Sequence, residues 1–534
     1  MGRRRHGKGG AGSAQRQRRS RALEERVRRV GPDHFGILAV DSAKSRFAVL
    51  LADFYGRTLM DVREVDNTSF ALEALVTEVK AQCARHGLKD LVVAIEQTGR
   101  YHVPIRQVLR RHWDVQMVHP FATKQLRQPA DPGNKTDPTD LHAIVRAIVV
   151  GYGRPEAELP GRWADWRLVS REREALVRKR AWARVRIEMR TEALLPGFSA
   201  QFACLWTSPL PLLVADHYGS AQALLAAGEQ AILARAREAG HHPQQRTVAR
   251  VLQWAVQASA PDPNAAVAHG LLRDQIGLLR FLEARIGQYE RDLADYLVDT
   301  PFVLLLGIPG LNVVSTASYG AEAGPIEHYL HPTKITGRAG IYPSRYQSDE
   351  TDLADGPLVG QHNARLRDAI FEIAHNLISH NAYFKAWAQL RENRKWSKKK
   401  VHVAVASKFV RISYWMLAGR TVFQHPCMGG RDAILRKLFR FAKDHGIPAQ
   451  DTLSLLLRAG RQLPGGVRAE EARALLEDLP KGTRRRRRSG PVPLGEILPE
   501  VIAWLGRGLS IDTERSQPSS PQPVEDPVLS GLGR

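Results

Sequence analysis

Short apolar runs separated by polar turns open this chain. Ile37 to Val40 ends on Asp41, Phe47 to Ala52 follows, and the turn Asp53-Phe54-Tyr55-Gly56 leads into Thr58 to Val65. That pattern predicts three antiparallel strands. From Ser69 to His86 the period changes: Leu72, Leu75, Val76 and Val79 fall at helical spacing, and Gly87 supplies a stop. A strand over Leu91 to Ile95 ends on Glu96. A helix near Val103 to His112, a strand over Val115 to Val118 and a helix beginning at Asp137 complete the order β-β-β-α-β-α-β-α. Beyond it, Arg167 to Leu195, Ala221 to Ala239 and Arg246 to Ala258 read as helices. Leu272, Leu279, Ile286 and Leu293 recur every seven residues, with Ile276, Leu282 and Tyr289 beside them, which predicts a coiled-coil seam. Glu283 falls at an inner position, so the seam fits an antiparallel pair within one chain as well as a zipper between two.

Four carboxylates punctuate the first block. Asp41 and Glu96 sit at the polar ends of apolar strands, and Asp137 and Asp140 lie three residues apart on one helical face. An acid at the tip of a buried strand is costly unless solvent, a partner or a metal receives it. Hard oxygen ligands in this number suit Mg²⁺ or Mn²⁺, the ions used to activate and stabilise oxygens in phosphodiester chemistry. The element order, with acids on the first strand, the fourth strand and the last helix, resembles a ribonuclease-H-like domain of the resolvase (RuvC-like) branch. The fold class expected is therefore α/β plus all-α.

Charge narrows the partner. The chain has 534 residues, with 78 Lys plus Arg against 55 Asp plus Glu and a formal charge of +23, which argues for a polyanion such as nucleic acid. No apolar run reaches the roughly 18 residues that a membrane span needs, and no apolar segment follows MGRRRHGKGG to make a secretory signal. Cys83, Cys204 and Cys427 are far apart and form neither a disulfide framework nor a zinc motif. A soluble, cytoplasmic protein is expected. Residues 1–32, Gly/Arg/Gln-rich, are expected to be disordered. The same holds for the tail after about residue 480, with Arg484 to Arg488 and SQPSSPQPVEDP. Between them the expected divisions are 33–155 (the acidic domain), 163–299 (a helical coiled-coil arm), 300–428 (a mostly helical second domain) and 429–534 (an extension).

The second domain carries its own motifs. In LLLGIPGLNVVSTASYGAE, the turn Ile308-Pro309-Gly310 resembles a helix-hairpin-helix, whose glycine lets backbone N–H groups approach a phosphate. Then come TGRAGIYPSRYQSDETD, GQHNARLRDAIFEIAHNLI and KKKVHVAVASKFVRISYWML. The last two read as amphipathic helices with basic edges (Arg365, Arg367; Lys398 to Lys400, Lys408, Arg411). Their aromatic neighbours Tyr383, Phe384, Trp387, Tyr414 and Trp415 suit nucleic-acid contact or a core. Arg345, Tyr346, Asn363, Arg367 and Lys408 are the expected nucleic-acid contacts.

An acidic DEDD domain, a helical arm, then I-P-G, A-G-I-Y-P-S-R-Y-Q-S and an N-x-x-L-R helix start resembles the DEDD transposases of the IS-one-ten / IS-eleven-eleven insertion sequences, relatives of the pilin-gene invertases. The resemblance runs from about His34 to Val422. It implies a DNA transposase and site-specific recombinase whose tetrad Asp41, Glu96, Asp137 and Asp140 binds Mg²⁺. It implies that Ser348 attacks DNA to form a phosphoserine link conserving the bond for rejoining. It also implies a structured bridge RNA pairing with donor and target DNA. Strand exchange acts on four strand ends, so a dimer or tetramer is expected, with a site shared across domains. Where the family usually has glycine after the serine, this chain has Asp349, then Glu350 and Asp352, and Ser344 is a nearby rival. A serine hydroxyl needs a base or metal to activate it, and the nearest histidine in sequence, His362, lies in another loop. Two other readings stay open: a RuvC-like nuclease acting with water, and a retired transposase that only binds nucleic acid.

Overall fold

The computed structural model describes residues 22–97, 99–127, 136–155, 159, 161–261, 263–348, 351–353, 356–360, 362–423, 425 and 428–477, with the side chains of Tyr346, Ser348 and residues 351–353 excepted. The Arg484–Arg488 run, the Ser/Pro-rich tail, Cys427, Asp349 and Glu350 lie outside the described residues. Two compact units divide the chain, Met1–Glu158 and Leu159–Arg534.

In the first unit, β1 (Phe35–Ser42), β2 (Arg46–Asp53) and β3 (Thr58–Asp66) form an antiparallel meander. β4 (Asp90–Glu96) adds parallel to β1, β5 (Asp114–Val118) parallel to β4, and β6 (Arg154–Pro155) antiparallel to β5, giving the order β3-β2-β1-β4-β5-β6. Alternation sends β1 and β4 side chains to opposite faces. Leu38, Val40, Val93 and Ile95 pack with α2 (Ser69–Arg85) and α3 (Val103–Leu109). Phe35, Ile37, Ala39, Val92 and Ala94 pack with Leu141, Ile144, Val145 and Ile148 of α5 (Asp137–Val149). A helix the sequence pattern did not predict, α4 (Pro120–Arg127), precedes α5. This is a ribonuclease-H-like domain joined to a helical region.

One boundary differs from expectation. Residues 22–30, inside the segment expected to be disordered, form a helix, α1. Leu23 and Val27, one turn apart, enter the α5-side core. Arg26 binds Asp90 (2.7 Å), Asp114 (2.7 Å) and the Leu91 carbonyl across the start of β4 and β5. Two apolar residues at that spacing and one two-sided ion pair suffice to dock a short helix on an existing sheet.

The second unit is built on two 34-residue helices, α6 (Gly161–Leu194) and α10 (Ala265–Val298). They pack antiparallel within the chain. Leu282 and Ile286 meet Leu176 and Ala183, while Leu272, Ile276 and Leu279 meet Ile187 and Leu194. Arg184 pairs with Glu283 at 2.8 Å, which explains a carboxylate at an inner position. The heptad thus serves an intrachain pair. At its far end α7 (Leu210–His217), α8 (Ala221–Glu238) and α9 (Gln245–Gln257) close a small core.

At the near end, α11 (Val313–Ala323), α12 (Pro332–Ala339), the hairpin of β7 (Tyr346–Ser348) and β8 (Thr351–Leu353), α13 (Ala364–His380), α14 (Ala382–Glu392) and α15 (Lys398–Ala418) follow. α16 (Arg431–Asp444), α17 (Ala449–Gly460) and α18 (Ala469–Glu477) join the same core through Ile434, Leu438, Leu456 and Ala472. Before the Ile308-Pro309-Gly310 turn lies a buried 3₁₀ segment, Pro301–Gly307, rather than an α-helix. The turn packs on α13: a Cβ on Gly310 (φ 99°) would stand 3.1 Å from the Asn376 carbonyl, and Asn381 Nδ2 donates to Pro309 O at 3.0 Å. Its glycine answers to close packing. Lys437 of α16 donates from Nζ to the carbonyls of Leu306, Ile308 and Leu311 at 2.6, 2.9 and 2.9 Å.

Two outcomes follow. Ile286→Asp places an unpaired charge in the α6–α10 seam and lowers the unfolding free energy of the full chain by about 3 kcal/mol or more; an unchanged denaturation midpoint would show that the seam is not packed within the chain. Burial, with Arg440 nearby, pushes the Lys437 ammonium down to about 8. Between that value and 10.5 the unfolded chain holds more protons, so this group's contribution to stability rises with pH across the window and is flat below it. The wild-type minus Lys437→Met stability difference should climb by about 3 kcal/mol through that range in urea unfolding.

Candidate functional site

β1 and β4 run in parallel register, Val40 opposite Ile95, so Asp41 and Glu96 are the next residues at the same end of neighbouring strands. Asp41 follows Phe35, Ile37 and Ala39 in the alternation, and Glu96 follows Val92 and Ala94. Both therefore belong to the face covered by α5. On α5, Asp137 and Asp140 lie one turn ahead of Leu141 and Ile144, the residues that pack on that face. Four acids thus share one face and one end of the sheet.

α5 starts where it does for a local reason. Thr136 and Thr139 form a reciprocal capping box, with Pro138 in the first turn. Asp137 and Asp140 also sit favourably at the positive end of the helix dipole. Asp140 is almost fully buried, and Arg127 at the end of α4 donates Nη1 to its Oδ1. Asp41 and Glu96 are half-buried, and Asp137 is exposed. Among the described residues, no three His, Cys, Asp or Glu side chains converge closely enough to hold one metal ion. The acids supply a hard-oxygen donor set in the right place, while Arg127 neutralises the most buried of them. Sequence reading missed Arg127, since nothing local marks which arginine faces an acid 13 residues away.

In the second unit, Ser348 ends β7, its backbone paired with Thr351. The base of this hairpin is held by Ser344, whose N and Oγ both donate to Pro357 O (2.8 and 2.9 Å) while its own carbonyl accepts from Gly356 N. Gly340 caps α12 in the left-handed region (φ 62°), and a Cβ there would stand 2.4 Å from Arg367 Nη2 and 2.7 Å from His362 Cβ. Arg367 donates to the carbonyls of Ala339, Gly340 and Val359 at 2.6–2.8 Å. Asn363 caps α13 by accepting from Leu366 N, and its Nδ2 donates to Glu322. Asn363 and Arg367, expected at nucleic acid, are thus engaged in building the frame of the hairpin. His362 Nδ1 lies 2.7 Å from Gly360 O. Arg345 is exposed, and the Tyr346 side chain lies outside the described residues.

Glu322 anchors this frame. It is buried between Arg171 (2.6 Å) and Asn363 (3.1 Å). Burial alone would raise its carboxyl, but the hydrogen bond and charge of Arg171, with Asn363 and Arg167, hold it below the usual carboxylate range.

A sequence model of the DEDD transposases of IS110 matches residues 38–197, and one described as the transposase IS116/IS110/IS902 family matches residues 303–389. The chain belongs to the IS110 family of DEDD transposases. The first match begins inside β1, three residues before Asp41. The second spans the I-P-G turn and the hairpin with Ser348. No curated protein matches the chain. Membership makes this a transposase of an insertion sequence, with DNA as its substrate. Among the described residues no helix is long and apolar enough to cross a membrane.

Arg127→Met should leave the Asp140 carboxylate buried without its cation and cost the full chain about 3 kcal/mol in urea unfolding. Adding Asp140→Asn to that variant should recover most of the loss. A double variant no more stable than Arg127→Met would show that Arg127 acts through packing alone.

Proposed function

We propose that this transposase cuts and rejoins DNA through a phosphoserine intermediate on Ser348, with Asp41, Glu96, Asp137 and Asp140 as the metal-binding tetrad. The observation that carries the reading is the placement of the four acids on one face and one end of the sheet. Two lines support the choice of serine. Ser348 ends β7 at the turn of the hairpin within the second matched block, whereas the Ser344 hydroxyl donates to Pro357 O at the hairpin base.

The Ser348 hydroxyl loses its proton as its oxygen attacks the phosphorus of a phosphodiester. The bond to the 3′ oxygen breaks, and that oxygen takes up a proton. In rejoining, a 3′ hydroxyl attacks the serine-linked phosphorus, and Ser348 leaves and regains its proton. One bond forms for each that breaks, so no external energy source is needed. A bound Mg²⁺ or Mn²⁺ would be held by the tetrad and would supply Lewis-acid stabilisation of charge on the reacting oxygens. His142 lies two residues after Asp140 in the chain. Burial and the charge of Arg146 hold it below its ordinary value. Guidance by a bridge RNA is carried over from the family resemblance, and assembly as a dimer or tetramer from the four strand ends that exchange requires.

Ser348→Ala should abolish strand cleavage while nucleic-acid binding persists, because phosphate contacts dominate such interfaces. Asp41→Asn and Glu96→Gln should fold and lose recombination by orders of magnitude. Denaturant quenching of the wild-type reaction should trap DNA on the peptide containing Gln347-Ser348-Asp349. Cleavage by Ser348→Ala without an adduct would instead establish the metal-and-water nuclease, a reading that the acidic residues after Ser348 favour. An adduct on Ser344 would move the nucleophile by four residues.

A further inference from the structure

The basic helix α15 carries a feature outside the cleavage chemistry. Lys408, Arg411 and Trp415 fall at i, i+3 and i+7, on one face. They line a groove of about 590 Å³ with Ile412, Val422 and Phe423, and among the described residues no carboxylate lines it. Trp415 is 61% exposed, whereas the adjacent Tyr414 is buried and donates its hydroxyl to Tyr329 O. A tryptophan left open beside a buried tyrosine is not a core residue out of place.

Among the described residues Lys408, Arg411 and Arg391 form no ion pair with a carboxylate. Two of them rest on aromatic faces: Lys408 Nζ lies 5.2 Å from the ring centres of both Tyr383 and Trp387, and the Arg391 guanidinium lies 3.1 Å over Trp387. The Arg391 guanidinium is depressed by burial and by the nearby charges of Arg394 and Arg411. Cations crowded together and held on rings are a receptor for an anion. A polyanion with an open π-face meets both halves of the groove: phosphates answer the cations, and an unstacked base answers the indole.

We propose that this groove takes an unpaired nucleobase, stacked on Trp415, with its flanking phosphates on Lys408 and Arg411. The inference rests on the nucleic-acid chemistry proposed above and adds a place where single-stranded character is read. A paired base hides both faces in the stack, so duplex would meet only the cations. An acidic peptide would answer the charges and leave the indole uncovered.

The test measures binding of the full chain to labelled oligouridylate, oligothymidylate and a duplex of equal length over a range of salt. Trp415→Ala should weaken single-strand binding about tenfold, Trp415→Phe should retain most of it, and duplex binding should not change. Lys408→Gln and Arg411→Gln should each reduce the slope of log affinity against log salt by about 0.7. Loss confined to oligouridylate assigns the groove to RNA, loss confined to oligothymidylate to DNA. The proposal is overturned if Trp415→Ala binds both single strands as the wild type does, or weakens duplex equally. A wild-type chain that binds no nucleic acid removes the proposed function too, whereas normal cleavage with binding indifferent to Trp415 removes the groove alone.

Discussion

The larger unit depends on α6 and α10 lying antiparallel along their whole length. α6 runs to the end of the first matched block, and the chain returns along α10 to bring Tyr296 and Phe302 back beside Trp166. There Trp166 stacks on Tyr296 (centroids 6.4 Å apart, planes 11° from parallel) and meets Phe302 edge-on. α11 comes so close that a Cβ on Gly320 would stand 2.5 Å from Trp166 Cη2. From that junction Arg171 of α6 reaches Glu322, Glu322 reaches Asn363, and Asn363 starts α13. The loop bearing Ser348 lies between α12 and α13, so its position is inherited from the arm. Arg365 of α13 adds a second link, pairing with Glu174 of α6 at 3.2 Å.

The parts of this architecture that were legible in the sequence are those governed by local period. Strands β1 to β5, the α2 and α5 helices and the heptad of α10 each announce themselves by spacing, and the acids could be placed because they terminate such runs. What period cannot convey is which partner an exposed-looking residue finds. The heptad residues say that a seam exists but not whose helix fills it. Arg127 reads as one arginine among many. The N-x-x-L-R residues look like a basic edge for DNA, yet Arg367 donates to three carbonyls and Asn363 caps its own helix. The I-P-G turn resembles a phosphate-binding hairpin until the 3₁₀ segment before it and the carbonyl of Asn376 against Gly310 come into view.

The segment after residue 429 shows the same limit from the other side. Read from the sequence it is an addition to the family core, because it lies beyond the family's motifs and leads into a polar tail. In the structure its helices complete the core. Arg458 pairs with Asp295 and Asp299, which hold it charged, and His445 Nε2 lies 2.9 Å from Glu290, itself bound to Arg173 of α6. Lys437 supplies three donors to the carbonyls around the I-P-G turn, where the 3₁₀ segment leaves them without helical partners. The extension thus braces both the arm and the turn, so its inner part is integral to the fold.

These pairings also change what the net charge of +23 means. Arg26, Arg127, Arg171, Arg173, Arg184 and Arg458 each meet a carboxylate of the chain itself. Cations held in this way are structural and offer little to a phosphate. The excess that remains for a polyanion is therefore localised, and its location must be read from what lacks a counter-ion. Among the described residues, α14 and α15 present such a place, with Arg391 and Lys408 set on aromatic rings instead of on acids and Arg411 beside them in the same groove. Net charge names the class of partner, and only the pattern of unanswered charge says where that partner would touch.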